Sequence, residues 1–246
     1  MKEDILIGRN PIYEALRANK RKFNKIILSD GVEGDSINKI ILLTKEKNIN
    51  TEYQSKNFLD NQTNYASHQG IIAYVSAKEF VLLEDVFDII EKKNELPFLI
   101  MVDQIEDPHN LGAILRTVEA VGAHAVIMPQ KHQVSLTQAV TKTSAGALEY
   151  VNVVQVVNIA ETIKILKKNN IWVIGVEKSG TINYWKQNFK IPLCLVIGSE
   201  AKGLRRLTQE NSDILVKIPL LGKVDSLNAS VAASIVMYEV LKQRLA

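Results

Sequence analysis

Cysteine is nearly missing from this chain of 246 residues. The single one, Cys194, excludes a disulfide framework and a zinc site built on cysteine pairs. It stands inside an apolar run, where a thiol acts as a small buried hydrophobe. Long apolar runs are missing too. None approaches the roughly 18 residues of a membrane span, and the Met-Lys-Glu-Asp start has no apolar secretion core. The expectation is a soluble, cytoplasmic protein that does not engage a membrane. An excess of one charge is also lacking. Thirty Lys and Arg face 27 Asp and Glu, a net charge of +3, which permits a polyanionic partner without requiring one. No G-x-G-x-x-G fingerprint occurs. The loop Gly198-Ser-Glu-Ala-Lys-Gly203 is followed by Leu204 rather than Lys-Ser/Thr and fails as a phosphate-binding loop.

What is present is ordinary globular material, 46% hydrophobic and 23% charged. Residues 1–77 read as a small α/β unit. A helix starts at Asn10-Pro11 and runs to about Ala18, a strand covers Lys25 to Ser29, a helix follows Asp35, and a strand covers Gln69 to Val75. His68 reads as a structural hydrogen-bonder. Arg17, Lys20, Arg21, Lys22 and Lys25 form a basic cluster, either a solvated face or a phosphate-tracking patch. Residues 78–96 read as a connector carrying a short amphipathic helix. From residue 97 onward, apolar runs at 98–102, 125–128, 151–156, 171–176, 193–197 and 214–218 alternate with helical patterns, which predicts a mostly parallel sheet covered by helices. The last helix, from about Leu227 to Leu245, carries a stripe of Leu227, Val231, Ile235, Tyr238 and Leu241. That stripe suits either a core or a subunit interface.

Three polar constellations follow predicted strands, where open α/β sheets bind ligands. In the first, Asn110 can cap a helix in which Arg116 lies off the apolar stripe, as a bidentate phosphate clamp or a surface ion pair with Glu119 or Asp107. The acidic loop Glu106-Asp107 with His109 has no trusted metal-ligand spacing, so no metal is expected. In the second, Glu200 stands between Gly198 and Gly203. In the third, Ser226, Asn228 and Ser230 offer more short polar groups than one helix cap needs.

The ordered triplet Asn110-x-Gly-Ala-x-x-x-Arg-Thr117, Ile197-Gly-Ser-Glu-Ala-x-Gly-Leu204 and Ile218-Pro…Ser226-Leu-Asn-x-Ser-Val231 resembles the motifs of the SpoU (TrmH-like) RNA ribose 2′-O-methyltransferases of the SPOUT superfamily. The stretches Ile7-Gly-Arg-Asn-Pro-Ile-Tyr-Glu-Ala-Leu16 and Ser67-His-Gln-Gly-Ile71 resemble the L30e-like RNA-binding extension of bacterial enzymes that methylate a guanosine ribose of 23S ribosomal RNA. The resemblance implies a C-terminal α/β domain with a deep trefoil knot, S-adenosyl-L-methionine as methyl donor, an RNA partner and a homodimer. It implies that Arg116 is the central catalytic residue, with Asn110, Glu200, Ser226 and Asn228 as positioners. Gly175, Val176, Gly198, Glu200, Gly203, Ile218, Pro219, Leu227 and Asn228 would hold the cofactor. Arg9, Arg17, Arg21, Lys22 and Arg116 would face RNA. The rival expectations are another target, such as transfer RNA, and a non-catalytic RNA-binding protein.

Overall fold

The structure is a computed structural model that describes residues 3–131, 133–200 and 202–246. Ala201 of the Gly198–Gly203 loop and the Met-Lys pair at the start lie outside the described residues. The chain divides into two compact units, one formed by Met1–Glu79 with Leu136–Tyr150, the other by Phe80–Ser135 with Val151–Ala246.

The first unit runs β1 (Glu3–Ile7), α1 (Arg9–Ala18), β2 (Phe23–Ser29), α2 (Asp35–Glu46), β3 (Thr51–Gln54), α3 (Lys56–Gln62) and β4 (Ile71–Ser76). Its sheet has the order β1-β4-β2-β3. The strand β4 is antiparallel to both neighbours, while β2 and β3 are parallel. Side chains alternate across a strand. Accordingly Ile26, Leu28, Ala73 and Val75 pack against Ile12 and Leu16 of α1 and Ile37 and Ile40 of α2, whereas Ile27 and Ile72 meet Leu59 of α3. Asp35 sits in the first turn of α2, and the cap itself is Gly34.

The second unit contains α4 (Leu83–Lys93), β5 (Phe98–Asp103), α5 (Pro108–Ala120) and β6 (Ala125–Pro129). The short α6 (Gln138–Thr143) belongs to the first unit. Then follow β7 (Val153–Val156), α7 (Ile159–Lys168), β8 (Trp172–Val176), β9 (Ile182–Asn183), β10 (Leu193–Gly198), α8 (Arg206–Asn211), β11 (Ile214–Lys217) and α9 (Ala229–Leu245). The seven strands lie in the order β7-β6-β5-β10-β8-β11-β9, and every pair is parallel. One sheet face, with Leu99, Met101, Ile127, Val173, Cys194 and Val196, packs on Val86 and Ile90 of α4 and on Ile163 and Leu166 of α7. The opposite residues Ile100, Val126, Ile174 and Leu195 are equally buried. On that side α5 and α9 pack together, with α9 against β8 and β10.

Two segments sit differently from the sequence reading. Residues 78–96 are more than a connector, because α4 buries Leu83, Val86 and Ile90 in the second core. Residues 136–150 leave the second unit's run of strands and pack with the first unit. In α9 the core-facing residues are Ala233, Val236, Met237 and Val240, not the predicted stripe. Val231 and Tyr238 of that stripe are exposed. The helix is apolar on two faces, and the sheet takes only one. Arg244 fixes its last turn by donating to the carbonyls of Leu96, Pro97, Phe189 and Ile191 at 2.7–3.2 Å, with its guanidinium 5.1 Å from the Phe98 ring centre. No helix among the described residues is long and apolar enough to cross a membrane.

Candidate active site

Parallel pairing brings the carboxyl ends of β5, β10, β8 and β11 to one edge, with Gly198 in register with Asp103 and Ile197 with Val176. The loop after β5 turns into α5 through Asp107, whose carboxylate accepts from His109 N at 2.9 Å, and through Pro108. Asp107 is therefore the cap that the sequence assigned to Asn110. Asn110 lies about one turn further in and is buried.

The Asn110 amide meets the other two motifs. Asn110 Nδ2 donates to Glu200 Oε1. Asn228 Nδ2 donates to Asn110 Oδ1 at 2.8 Å and to Glu200 Oε1 at 3.1 Å, and Ala229 N reaches the same carboxylate oxygen at 3.4 Å. Asn228 also caps α9, its Oδ1 accepting from Ser230 N at 3.0 Å, Ser230 Oγ at 2.6 Å and Val231 N at 3.3 Å. Residues 110, 200 and 228 thus form one polar triangle. It locks the ends of α5 and α9 to the loop after β10.

That loop is held on two sides by carboxylates the sequence reading passed over. Asp103, fully buried at the end of β5, accepts from Arg205 Nε at 2.7 Å, Arg205 N at 3.2 Å and Thr208 Oγ1 at 2.7 Å. Glu177, just after β8, accepts from Leu204 N at 2.8 Å. Ser199 and Gly203 exchange two backbone hydrogen bonds. Gly203 has φ +63°, which favours glycine, and a Cβ there would stand 2.4 Å from Glu177 Oε2 and displace the carboxylate that holds Leu204 N. For Asp103 the available signal was position: an acid directly after a fully apolar strand.

Between these loops lies a cavity of about 730 Å³. Val176, Gly198, Glu200, Gly203, Ile218, Pro219, Ser226 and Leu227 line it, together with Glu177, Lys178, Lys202 and Lys217. Gly175 and Asn228 are outside that lining. Gly175 is needed for packing, since a Cβ there would approach Leu204 and Leu215 side chains at 2.7 Å. Cys194 is buried in the sheet, and burial pushes its thiol up, out of reach of thiolate chemistry. Among the described residues no group of three or more His, Cys, Asp or Glu is placed to hold a metal.

Arg116 is exposed on α5 and makes no hydrogen bond or ion pair among the described residues; neither Glu119 nor Asp107 engages it. Six residues beyond Asn110, it stands about 9 Å along the helix and about a third of a turn away. It does not line the cavity of its own chain. Its neighbour Thr117 bonds Ser234 of α9 at 2.9 Å.

The expected RNA-facing residues of the first unit separate sharply. Arg21 is a correction. Its side chain is 2% exposed, paired with the fully buried Glu149 at 2.8 Å and with Asp4 at 3.0 Å, so it holds residues 136–150 in place and cannot face RNA. Arg9 is spent on the unit's own loops, bonding Gln69 O, Ser36 Oγ and Glu33 O. Arg17 is exposed beside Glu14 and Tyr13, and Lys22 is exposed. His68 is buried, accepting from Gly70 N and donating to Asp60.

Residues 97–238, which carry the whole triangle and cavity, match the SpoU rRNA Methylase family. The chain belongs to that family. Ahead of the SpoU region, residues 5–81 match the RNA 2′-O ribose methyltransferase substrate-binding family. A Bacillus subtilis (strain 168) protein named to the TrmH family of tRNA/rRNA methyltransferases is 42% identical over 241 residues, covering 98% of this chain and 96% of its own. A Staphylococcus aureus (strain MSSA476) protein of the same designation is 40% identical over 244 residues, covering 99% and 98%. The crystal structure of the SpoU methyltransferase AviRb from Streptomyces viridochromogenes, in complex with AdoMet, superposes with a TM-score of 0.82 at 22% identity, covering 99% of this chain and 91% of that one. At that identity the superposition speaks for the SpoU fold. The chain is an RNA methyltransferase of the SpoU/TrmH group.

Proposed function

We propose that this protein transfers a methyl group from S-adenosyl-L-methionine to the 2′-hydroxyl of a ribose in ribosomal RNA, with a guanosine of 23S RNA as the leading target. The observation that carries this reading is the junction of Asn110, Glu200 and Asn228 at the lip of the 730 Å³ cavity. The cavity lies in the size range of small-molecule sites. Its walls suit the donor: Ile218, Pro219 and Leu227 offer apolar surface, and Glu177, Glu200, Lys178, Lys202 and Lys217 offer charge of both signs to a ligand that carries both. When bound, the cofactor supplies an electrophilic methyl on a sulfonium.

The chain's own task is to orient a ribose hydroxyl and favour its deprotonation. Arg116 suits the phosphate beside that ribose, because its guanidinium is unpaired and offers a planar fork. Its guanidinium has donors and no acceptor, so it stabilises the developing alkoxide rather than acting as the base. Glu200, Asn110 and Asn228 hold the loops, and Ser226 stands exposed at the cavity edge.

The homodimer belongs to this reading. Arg116 is exposed and does not line its own cavity, and Val231 and Tyr238 are exposed on α9. A second copy against that helix would cover both and offer Arg116 a partner's cavity. The trefoil knot belongs to it as well; what supports it is that β10, entering after β8, lies between β8 and β5. The same reading divides the work between the two units, the first binding RNA and the second, with α4 in its core, methylating. The cytoplasm is where such a substrate is made.

The test is transfer of labelled methyl from S-adenosylmethionine to separate, unmodified 23S, 16S and transfer RNA, mapped to the nucleotide. Label at one guanosine of 23S RNA is expected. Label on transfer RNA would replace the substrate, and cofactor binding without transfer to RNA or to ribosomal precursors would replace the enzyme with an RNA-binding protein.

A further inference from the structure

The loop from Thr63 to Gly70 holds Asn64, Tyr65 and Gln69 in the left-handed region, with φ of 49°, 60° and 54°, and ends in Gly70 at φ +80°. Left-handed backbone is uncommon for any residue with a side chain and least so for Asn, so Tyr65 is the position where this conformation is a strain. Such strain persists only where the surroundings over-determine it. Here they do. Tyr65 N donates to Asp60 O at 2.8 Å, and Thr63 Oγ1 bonds the carbonyls of Leu59, Asp60 and Ala66. The buried His68 ring bridges Asp60 Oδ1 and Gly70 N, both at 3.0 Å. Arg9 then ties the loop to the start of α1, its N meeting Gln69 Oε1 and its Nε meeting Gln69 O, both at 3.1 Å. The two stretches that carry the first unit's resemblance, around Arg9 and around His68, therefore build one rigid support.

What that support displays is the Tyr65 ring, 77% exposed. Its hydroxyl is steadied by Asn61 Oδ1 at 3.3 Å. The exposed side chains of residues 61–69 besides Tyr65 are Asn61, Gln62, Asn64, Ser67 and Gln69, all polar and uncharged. An aromatic face in such a field does not suit an apolar protein surface, which would bury amides without partners. It suits an unpaired nucleobase, which stacks on the ring and offers donors and acceptors to amides at its edge.

We infer that Tyr65 is a stacking platform for an unpaired base of the RNA substrate, with Arg9, Asp60, His68 and Gln69 as its positioning residues. This rests on the RNA-methyltransferase reading above. The platform explains why Arg9 is spent on backbone and side-chain partners rather than on phosphate. It also gives the first unit a means of selecting a looped or bulged RNA rather than a plain duplex.

The experiment compares wild type with Tyr65→Ala, Tyr65→Phe and Tyr65→Gly, all as full-length protein. Affinity for an unmodified 23S RNA transcript and for a transfer RNA transcript is measured by filter binding, cofactor affinity by calorimetry, and molecular mass by light scattering. The expected result is about a tenfold loss or more of RNA affinity for the Ala and Gly variants. The Phe variant stays within about twofold of wild type, and cofactor affinity and mass do not change. Tyr65→Gly removes the ring while relieving the left-handed strain, so a loss shared by Ala and Gly comes from the ring and not from a collapsed loop. RNA affinity unchanged in Tyr65→Ala overturns the proposal while wild-type methyl transfer leaves the enzyme reading intact. A loss in Tyr65→Phe equal to that in Tyr65→Ala assigns the effect to the hydroxyl and overturns stacking. A changed mass with unchanged RNA affinity gives the ring to a contact between copies. Wild-type protein that binds neither transcript overturns this proposal and the RNA reading together.

Discussion

Arg21 and Arg116 are both candidate RNA contacts in the sequence, and the structure gives them opposite fates. In the first unit Arg21 is sealed against Glu149, a residue 128 positions away, and anchors residues 136–150. In the second unit Arg116 stands exposed with no partner among the described residues, while the polar groups around it, Thr117 and Asn110, are fully engaged. The first unit uses its charge to hold itself together. The second holds itself together with amides, buried acids and the arginines Arg205 and Arg244, and leaves Arg116 unpaired among the described residues. Charge in a sequence is therefore a poor guide to availability, because the partner that neutralises it is set by tertiary folding.

The contrast predicts a separation of effects. Arg21→Met should cost about 3–5 kcal/mol of stability, because the buried Glu149 carboxylate would lose the cation bonded to it. Chemical denaturation measures this, and the double variant Arg21→Met/Glu149→Gln should recover much of the loss. Arg116→Ala should leave stability within about 0.5 kcal/mol, as for exposed sites. It should lower methyl transfer by about 10²–10³-fold in single-turnover assays. Arg116→Lys retains charge but loses the fork, so near-wild-type turnover there would refute the bidentate role. Asp103→Ala falls between these two, costing about 1–3 kcal/mol by orphaning Arg205 and Thr208. It should weaken cofactor affinity more than turnover at saturation, since it frees the loop that carries Glu200.

A pH-dependent effect concerns Lys78, near Glu149. Burial lowers its pKa from 10.5 to about 8, opposed by the Glu149 charge. The folded chain then gives up this proton at lower pH than the unfolded chain. Between pH 8 and 10.5 the unfolded state binds more protons, so this group's contribution to stability rises with pH across that window and is flat below it. Lys78→Met should remove that rise in a series of melts from pH 7 to 10, relative to wild type.

Much of the second unit was legible because strands buried on both faces of a parallel sheet read as unbroken apolar runs. The runs at 98–102, 193–197 and 214–218 correspond to β5, β10 and β11. The strands β1, β3 and β9 were not legible, being half-buried edge or end strands with no such run. Asn110 was misread as a cap because Asp107-Pro108 satisfies the helix start better, a choice that depends on backbone geometry. The stripe of α9 was visible but ambiguous, since both faces of that helix are apolar and only the fold says which one the sheet takes. Glu149 and Asp103 escaped notice for one reason: a buried acid is recognised by its donors, and those lie 128 and 102 residues away.

The central claim is that the three motif loops form one site whose product is a 2′-O-methylated ribose. The most direct test is to label RNA with the wild-type enzyme and tritiated S-adenosylmethionine, then hydrolyse the RNA with alkali. A 2′-O-methyl group blocks cleavage at its own phosphodiester. The account predicts that the label is recovered in an alkali-resistant dinucleotide and that Arg116→Ala lowers its rate of appearance by about 10²–10³-fold. Label recovered in mononucleotides, on a base, would contradict it.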